Sequence, residues 1–218
     1  MKKLIPFLLV LAALLTLPAC GKTPEPAPTQ PDSTTAYTTK SFGGYTWRVL
    51  DEQDDKLLLI TEDIIELRPY NAAYEDVTWE TCTLRAYLNG EFYSKFSEQE
   101  QAMILETRNT NLDNQWFETD GGNDTMDKVF LLSLEEVVKY FGDSGQLKNR
   151  PEDIWRIDDQ YNSKRVAKFS NDKFRWLLRS PGYSRDYVTF VSNDGFVRLY
   201  GIRVDEECGV RPALWIKL

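Results

Sequence analysis

Cys208-Gly209-Val210-Arg211-Pro212-Ala213-Leu214-Trp215-Ile216-Lys217-Leu218 is the stretch on which the fold turns. As an extended chain it places Val210, Pro212, Leu214, Ile216 and Leu218 on one face and Ala213 and Trp215 on the other. Both faces therefore carry apolar weight, the pattern of a strand buried inside a domain. Such a strand needs an earlier partner, and the comparable candidates near the start are Tyr45 to Leu50 and Lys56 to Thr61. The expectation is a domain whose two ends meet in a shared sheet, with everything between them looped out from it.

The first candidate alternates Tyr45, Trp47 and Val49 against Thr46 and Arg48; Asp51 to Asp55 makes a polar turn, and Lys56 to Thr61 answers it as the second arm of a β-hairpin. From Trp79 to Gly90 the pattern is helical: Thr78 precedes it, Leu84, Tyr87 and Leu88 share a face, and Asn89-Gly90 supplies a stop. Ser97-Glu98-Gln99-Glu100 has capping-box spacing and predicts a short helix to Leu105. Ser133-Leu134-Glu135-Glu136 repeats the device for a helix ending at Tyr140-Phe141-Gly142. Between them, Arg108 to Met126 reads as a long polar surface loop, and Val129 to Leu132 as a buried strand or extended entry into the third helix. From Gly142 to Asp172 the pattern is poor and predicts loop with helical turns. Asn193-Asp194-Gly195 between Tyr187 to Ser192 and Phe196 to Tyr200 is a hairpin signal. No internal repeat is present.

Composition narrows the function classes. The chain has 218 residues, 13% of them aromatic, with six Trp and eleven each of Tyr and Phe, which suits a β-rich or mixed domain with aromatics on pleated surfaces. Its net charge is -8, so nucleic acid is not an expected partner. It contains no histidine, which removes the usual general base, the Ser-His and Cys-His pairings and the commonest transition-metal ligand. The three cysteines, Cys20, Cys82 and Cys208, cannot supply a structural zinc site without imidazoles. Calcium, held through oxygens, stays open.

Residues 1–20 have a basic start (Lys2, Lys3), an apolar run from Leu4 to Leu15 and then Leu17-Pro18-Ala19-Cys20. This reads as an export signal, too short for a typical membrane span. Its last four residues resemble the bacterial lipobox, which implies cleavage before Cys20, lipidation of that thiol and a stable anchor on the extracytoplasmic face of the cell membrane. The alternative is an ordinary secretory leader with an exposed thiol. Residues 21–40, with Pro24, Pro26, Pro28 and Pro31 among threonines and serines, read as an extended spacer. Residues 41–218 are then a single α+β domain.

Four stretches in order carry a resemblance: Thr78-Trp79-Glu80 with Leu84 to Gly90 and Phe92-Tyr93; Gly121 to Thr125 followed by Asp127 to Ser133; Trp176 to Gly182; and Gly209 to Ile216. Together they resemble an uncharacterised domain family of exported and lipid-anchored proteins from Gram-positive gut bacteria. That family is distantly similar to the C-type-lectin-like fold shared with formylglycine-generating enzymes. The resemblance implies paired terminal strands in one sheet, two or three short helices and a long irregular loop region. It also implies a disulfide between Cys82 and Cys208, a closure that the chain-entropy model values at about 4 to 5 kcal/mol; two separate buried thiols are the alternative. Departures limit the carry-over. The closely spaced thiol pair of the formylglycine-generating enzymes is missing, and so are the Glu-Pro-Asn and Gln-Pro-Asp tripeptides of calcium-dependent lectins.

Arg85 and Arg211 lie in apolar segments and read as buried guanidinium groups paired with carboxylates such as Glu80 or Asp127, with ligand gripping as the alternative. Arg179 could line a groove or end a strand. Asn109, Asn111, Asp113 and Asp120 have the spacing of a calcium loop, although Asn114 stands where such a loop has Gly. Asp120, Asp124 and Asp127 are turn residues or an alternative cation set. Trp116 and Phe117 are aromatics on a loop, suited to recognition or to packing beneath it. Trp116, Phe117, Asp120, Asp124 and Arg179 are the candidate ligand-binding residues, and no catalytic residue is assigned. Two functions follow: a surface module that recognises a glycan or a protein, or a cell-wall or glycan hydrolase using an acid/base pair of carboxylates. The absence of histidine and the resemblance favour the first.

Overall fold

The structure, a computed structural model, describes residues 37–218. The leader, Cys20 and most of the expected spacer lie outside the described residues. The domain is α+β, mostly strands, with four short helices among the described residues at Thr83–Tyr87, Glu98–Met103, Leu134–Phe141 and Asn162–Arg165.

One sheet has five strands in the order Thr39–Phe42, Tyr45–Gln53, Lys56–Thr61, Ala213–Lys217 and Ile104–Leu105. The expected meeting of the two ends is there: Ala213 pairs with Ile60 and Lys217 with Lys56 in antiparallel register. Thr39 and Lys40, read as the end of the spacer, already pair with Arg48 and Trp47 in an edge strand. The turn into the next strand needs left-handed backbone at Gly43 and Gly44, and a side chain on Gly43 would run into the Phe96 ring.

The second sheet has six strands in the order Glu66–Arg68, Cys208–Val210, Trp176–Pro181, Tyr187–Val191, Val197–Arg203 and Arg156–Ile157. Cys208 to Lys217 is therefore not one strand. It leaves one sheet after Val210 and enters the other at Ala213, changing partner at Arg211-Pro212. Proline cannot donate to a ladder, which suits it to this break; its carbonyl accepts from Thr61 N at 3.0 Å. Arg211 is fully buried and finds backbone rather than a carboxylate, its Nε donating to Thr61 O (2.7 Å) and its Nη2 to Glu62 O (2.9 Å). Burial pushes its pKa down to about 9. Arg85, by contrast, pairs with Asp127 as expected, Nε to Oδ1 at 2.6 Å.

Both capping boxes form, Ser97 with Glu100 and Ser133 with Glu136. The helix expected from Trp79 begins later. Cys82 is its cap, Trp79 is buried in the core, and the chain runs through a π turn at Leu88–Phe92 instead of stopping at Asn89-Gly90. Asn89 earns that place by its side chain, which accepts from Lys128 N (2.8 Å) and donates to Val129 O (2.8 Å). Val129 to Leu132 is fully buried core, a bend at Val129 followed by a single Phe130–Ala213 bridge to the closing strand.

The disulfide implied by the resemblance is absent: Cys82 and Cys208 are free and buried. The two lie in different surroundings. Cys82 Sγ accepts from Arg85 N (3.4 Å) and donates to Trp79 O (3.5 Å) at the helix start. Cys208 sits in the six-stranded sheet opposite Arg68. Burial pushes both thiols up to about 12, so little thiolate exists at neutral pH to attack an oxidant or another sulfur.

The segment from Arg108 to Met126 is also not a simple surface loop. Thr107–Asn109 pairs with Thr125–Asp127, and Asn114 is fully buried. Its Nδ2 donates to Pro181 O (2.9 Å), Gly182 O (3.3 Å) and Leu199 O (3.0 Å), while its Oδ1 accepts from Trp116 N (3.0 Å). One amide thus nails the loop to the six-stranded sheet and sets down the next residues, Trp116 and Phe117.

Candidate functional site

The hairpin Tyr187–Val191 and Val197–Arg203 alternates. Val188, Val191, Val197 and Leu199 face the core, while Tyr187, Phe190, Arg198 and Tyr200 are more open. A register shift between Val188 and Phe190 interrupts this hairpin. Opposite it stands Gly201 at φ 89°, where a Cβ would lie 2.5 Å from Val188 O. Bulges of this kind re-aim neighbouring side chains, and the neighbour here is Tyr200.

Tyr200 is 41% exposed, and its ring stacks on Tyr183 at 4.1 Å and 14°. Tyr187 meets Tyr183 edge-on at 4.5 Å. Trp155, 52% exposed, immediately precedes the edge strand Arg156–Ile157 and stands perpendicular to Tyr200 at 6.2 Å. Its other neighbour is Phe117, stacked at 5.6 Å and 11°. Arg150 holds the group together: its guanidinium lies 4.4 Å from the Trp155 ring centre, Nε donates to Ile154 O (3.1 Å), and Nη1 donates to Trp116 O (3.4 Å). The result is an aromatic platform whose rings fix one another, so little rotamer freedom is left to lose on binding. At a further margin Tyr74 donates to Asp186 and carries Arg203 at 4.0 Å over its ring. The hydrogen bond to Asp186 pushes the Tyr74 phenol up to about 12, and the one with Tyr183 raises Tyr200. These phenols stay protonated at neutral pH, with the Tyr74 proton given to Asp186.

Of the residues singled out from sequence, Phe117 belongs to this platform. Trp116 does not. It is tucked beneath the loop with Nε1 on Leu147 O at 2.8 Å. Arg179 is buried, with its donors taken by Leu131 O (2.7 Å), Glu136, Asn111 Oδ1 (3.1 Å) and Thr110 O (3.3 Å). Asp124 pairs with Arg108 at 2.9 Å. Asp120 pairs with Arg185 and accepts from Gly122 N (2.8 Å), which lowers its pKa. With Asp76 and Glu80 it borders a polar cleft of about 360 Å³. The calcium spacing is spent on other bonds: Asn109 donates to Asp127 (2.8 Å), Asn111 donates to Asn123 O (2.7 Å), and Asp113 accepts from Gly121 N (3.0 Å). Among the described residues no three Asp, Glu or Cys side chains converge as a metal set. Trp155, Tyr183, Tyr187 and Tyr200 escaped the sequence reading. The alternation of Val197-Arg198-Leu199-Tyr200 signals the outward pair, and a Trp in a polar stretch signals Trp155 by the logic applied to Trp116.

A family model described as Domain of unknown function (DUF6273) matches residues 54–218. No curated protein and no solved structure matches the chain.

Proposed function

Starting from the fact that the chain belongs to this domain family of unknown function, we propose that the domain is a recognition module and that its aromatic platform holds a glycan. The observation that carries this reading is the exposed set Trp155, Tyr183 and Tyr200, locked in place by Phe117, Tyr187 and Arg150. A pyranose presents a flat patch of C–H bonds that suits an aromatic face, while its hydroxyls suit the phenols and amides at the rim. Binding of neutral and charged oligosaccharides by calorimetry tests it. Trp155→Ala is expected to weaken binding about tenfold or more, the effect of losing an exposed anchor worth roughly 1 to 2 kcal/mol. Unchanged affinity would overturn the reading.

The hydrolase reading rests on the cleft bordered by Asp76, Glu80 and Asp120. An acid catalyst needs a carboxyl raised toward neutrality. Of these three, Asp120 moves the other way, held down by the Gly122 N–H and Arg185. That favours binding over cleavage. Turnover of a wall polysaccharide that Asp120→Asn abolishes would reverse the preference.

The finer fold, C-type-lectin-like, belongs to the same proposal. Terminal strands paired in one sheet and a long looped region between them support it, and superposition of an experimentally determined structure tests it. So does the address: a lipid anchor at Cys20 on the extracytoplasmic face of the cell membrane, supported by Leu17-Pro18-Ala19-Cys20 after a basic and apolar run. Among the described residues no helix is long and apolar enough to cross a membrane. Cys20→Ala is expected to move the protein from the membrane fraction to the medium; retention in the membrane would refute the anchor.

A further inference from the structure

Beside the platform, and sharing Trp155 and Tyr200 with it, lies an open cleft of about 550 Å³. Arg175, Arg198, Ser192 and Asn193 line it too, and none of its lining residues is acidic. This is against the grain of a chain in which 34 acidic residues face 26 basic ones. The two arginines differ. Arg175 is compensated, donating to Glu206 (3.3 Å) and Glu207 O (3.1 Å). Arg198 makes no ion pair and no side-chain hydrogen bond among the described residues. Its guanidinium lies 5.5 Å from the Phe196 ring centre, as does that of Arg156 at 4.6 Å. Arg156 has Asp158 as a partner at 3.1 Å.

A half-buried cation without a counterion, next to a second cation, is a poor arrangement for stability alone. Burial first and then the charge of Arg156 press the pKa of Arg198 down, while Asp158 and Asp194 act the other way without contacting it. Amide and hydroxyl groups at Asn193 and Ser192, ring faces at Trp155 and Tyr200, and one uncompensated guanidinium make a mixed surface. A free inorganic anion would leave the rings unused, and a neutral sugar would leave the charge unused.

We propose that this cleft binds an anionic saccharide, a sugar ring bearing a carboxylate or a phosphate, with the ring against Trp155 and Tyr200 and the anion on Arg198. The assignment rests on the glycan reading of the platform and adds its charge selectivity. A guanidinium forks onto either oxyanion through two parallel N–H donors, so carboxylate and phosphate are equivalent in this chemistry.

The test titrates three probes into the protein by calorimetry: tetragalacturonate, a phosphorylated maltotetraose and neutral maltotetraose. One of the two charged probes is expected to bind about tenfold or more tightly than the neutral one, and which of them does so identifies the source of the anion. Raising salt from low to physiological strength is expected to erode that preference, an observation that needs no variant. In Arg198→Gln the ratio of charged to neutral affinity is expected to fall to about one, with an unchanged melting temperature as the folding control. Trp155→Ala is expected to weaken all three probes. A wild-type protein with no preference for charge, or a preference that survives Arg198→Gln, overturns the anionic assignment while leaving the glycan reading standing if maltotetraose still binds. Failure of all three probes overturns both.

Discussion

Deleting residues 213–218 is expected to abolish cooperative folding. Ala213–Lys217 lies inside the five-stranded sheet, with Lys56–Thr61 on one side and Ile104–Leu105 on the other. Ala213, Leu214 and Ile216 are fully buried. Losing a buried Leu or Ile down to its Cβ costs about 2 to 5 kcal/mol each, and here the backbone ladder on both sides goes as well. Leu58, Leu59, Ile60 and Ile104, now among the most buried residues, would be left beside an open slot with unpaired edges. The total reaches the roughly 5 to 15 kcal/mol by which a domain is stable at all. The milder Leu214→Ala should keep the fold and lose about 2 to 5 kcal/mol in urea. Near-ultraviolet circular dichroism during heating reads both. A truncated chain that still melts cooperatively, close to the full-length temperature, would show that this strand does not close the sheet.

Asp127→Ala comes second, at about 3 to 5 kcal/mol, the usual cost of stripping one partner from a buried charged network. Its carboxylate side chain has no exposure. Oδ2 accepts from Trp79 Nε1 (2.9 Å), Asn109 Nδ2 (2.8 Å) and Thr125 Oγ1 (2.6 Å). Oδ1 accepts from Arg85 Nε (2.6 Å) and Asn89 Nδ2 (3.4 Å). One acid thereby ties the first helix, the π turn and the small two-stranded sheet together. Alanine leaves the buried Trp79 indole N–H, the Asn109 amide and the Thr125 hydroxyl without their acceptor and Arg85 without its counterion. Asp124→Ala is the control: its partner Arg108 is mostly exposed, with a side chain 73% open, and such surface pairs contribute about 0 to 1 kcal/mol. Equilibrium urea unfolding of both variants decides the matter; equal losses would remove Asp127 from its central position.

The patterns that were legible are local ones. Period-two alternation found the first hairpin, Asp194-Gly195 found the last, and Ser-x-x-Glu found two helix starts, because in each case the signal and the structure span the same few residues. Apolar weight on both faces of Ala213–Lys217 marked its burial. The change of sheet was missed because Arg211 and Pro212 keep the alternation while altering the partner, and partner choice is set by residues far along the chain. Asn114 was hidden for a related reason. A polar composition reads as surface, but an amide whose donors and acceptor are all taken by backbone can be buried without penalty. In the candidate site, Arg198 and Tyr200 follow from strand alternation, whereas Trp155 lies in a stretch without periodicity and is positioned by Arg150 and an edge strand of two residues. The Cys82–Cys208 bond shows the opposite failure: the resemblance implied a pairing that two separate buried thiols do not make.

The edge strand Thr39–Phe42 also has a mechanical meaning. It is the first strand reached by any force transmitted along the preceding residues, and it is held on one side only, by four rungs to Tyr45–Arg48. Pulled from the end away from its Gly43-Gly44 turn, an antiparallel pair opens one rung at a time, so the load never falls on all of them together. Ala213–Lys217, gripped from both sides in the same sheet, would have to be torn from two neighbours. Under tension the first strand therefore peels while the rest of the domain, and with it the aromatic platform, stays folded. The opening stops at Tyr45–Gln53, which is itself paired with Lys56–Thr61 on its far side.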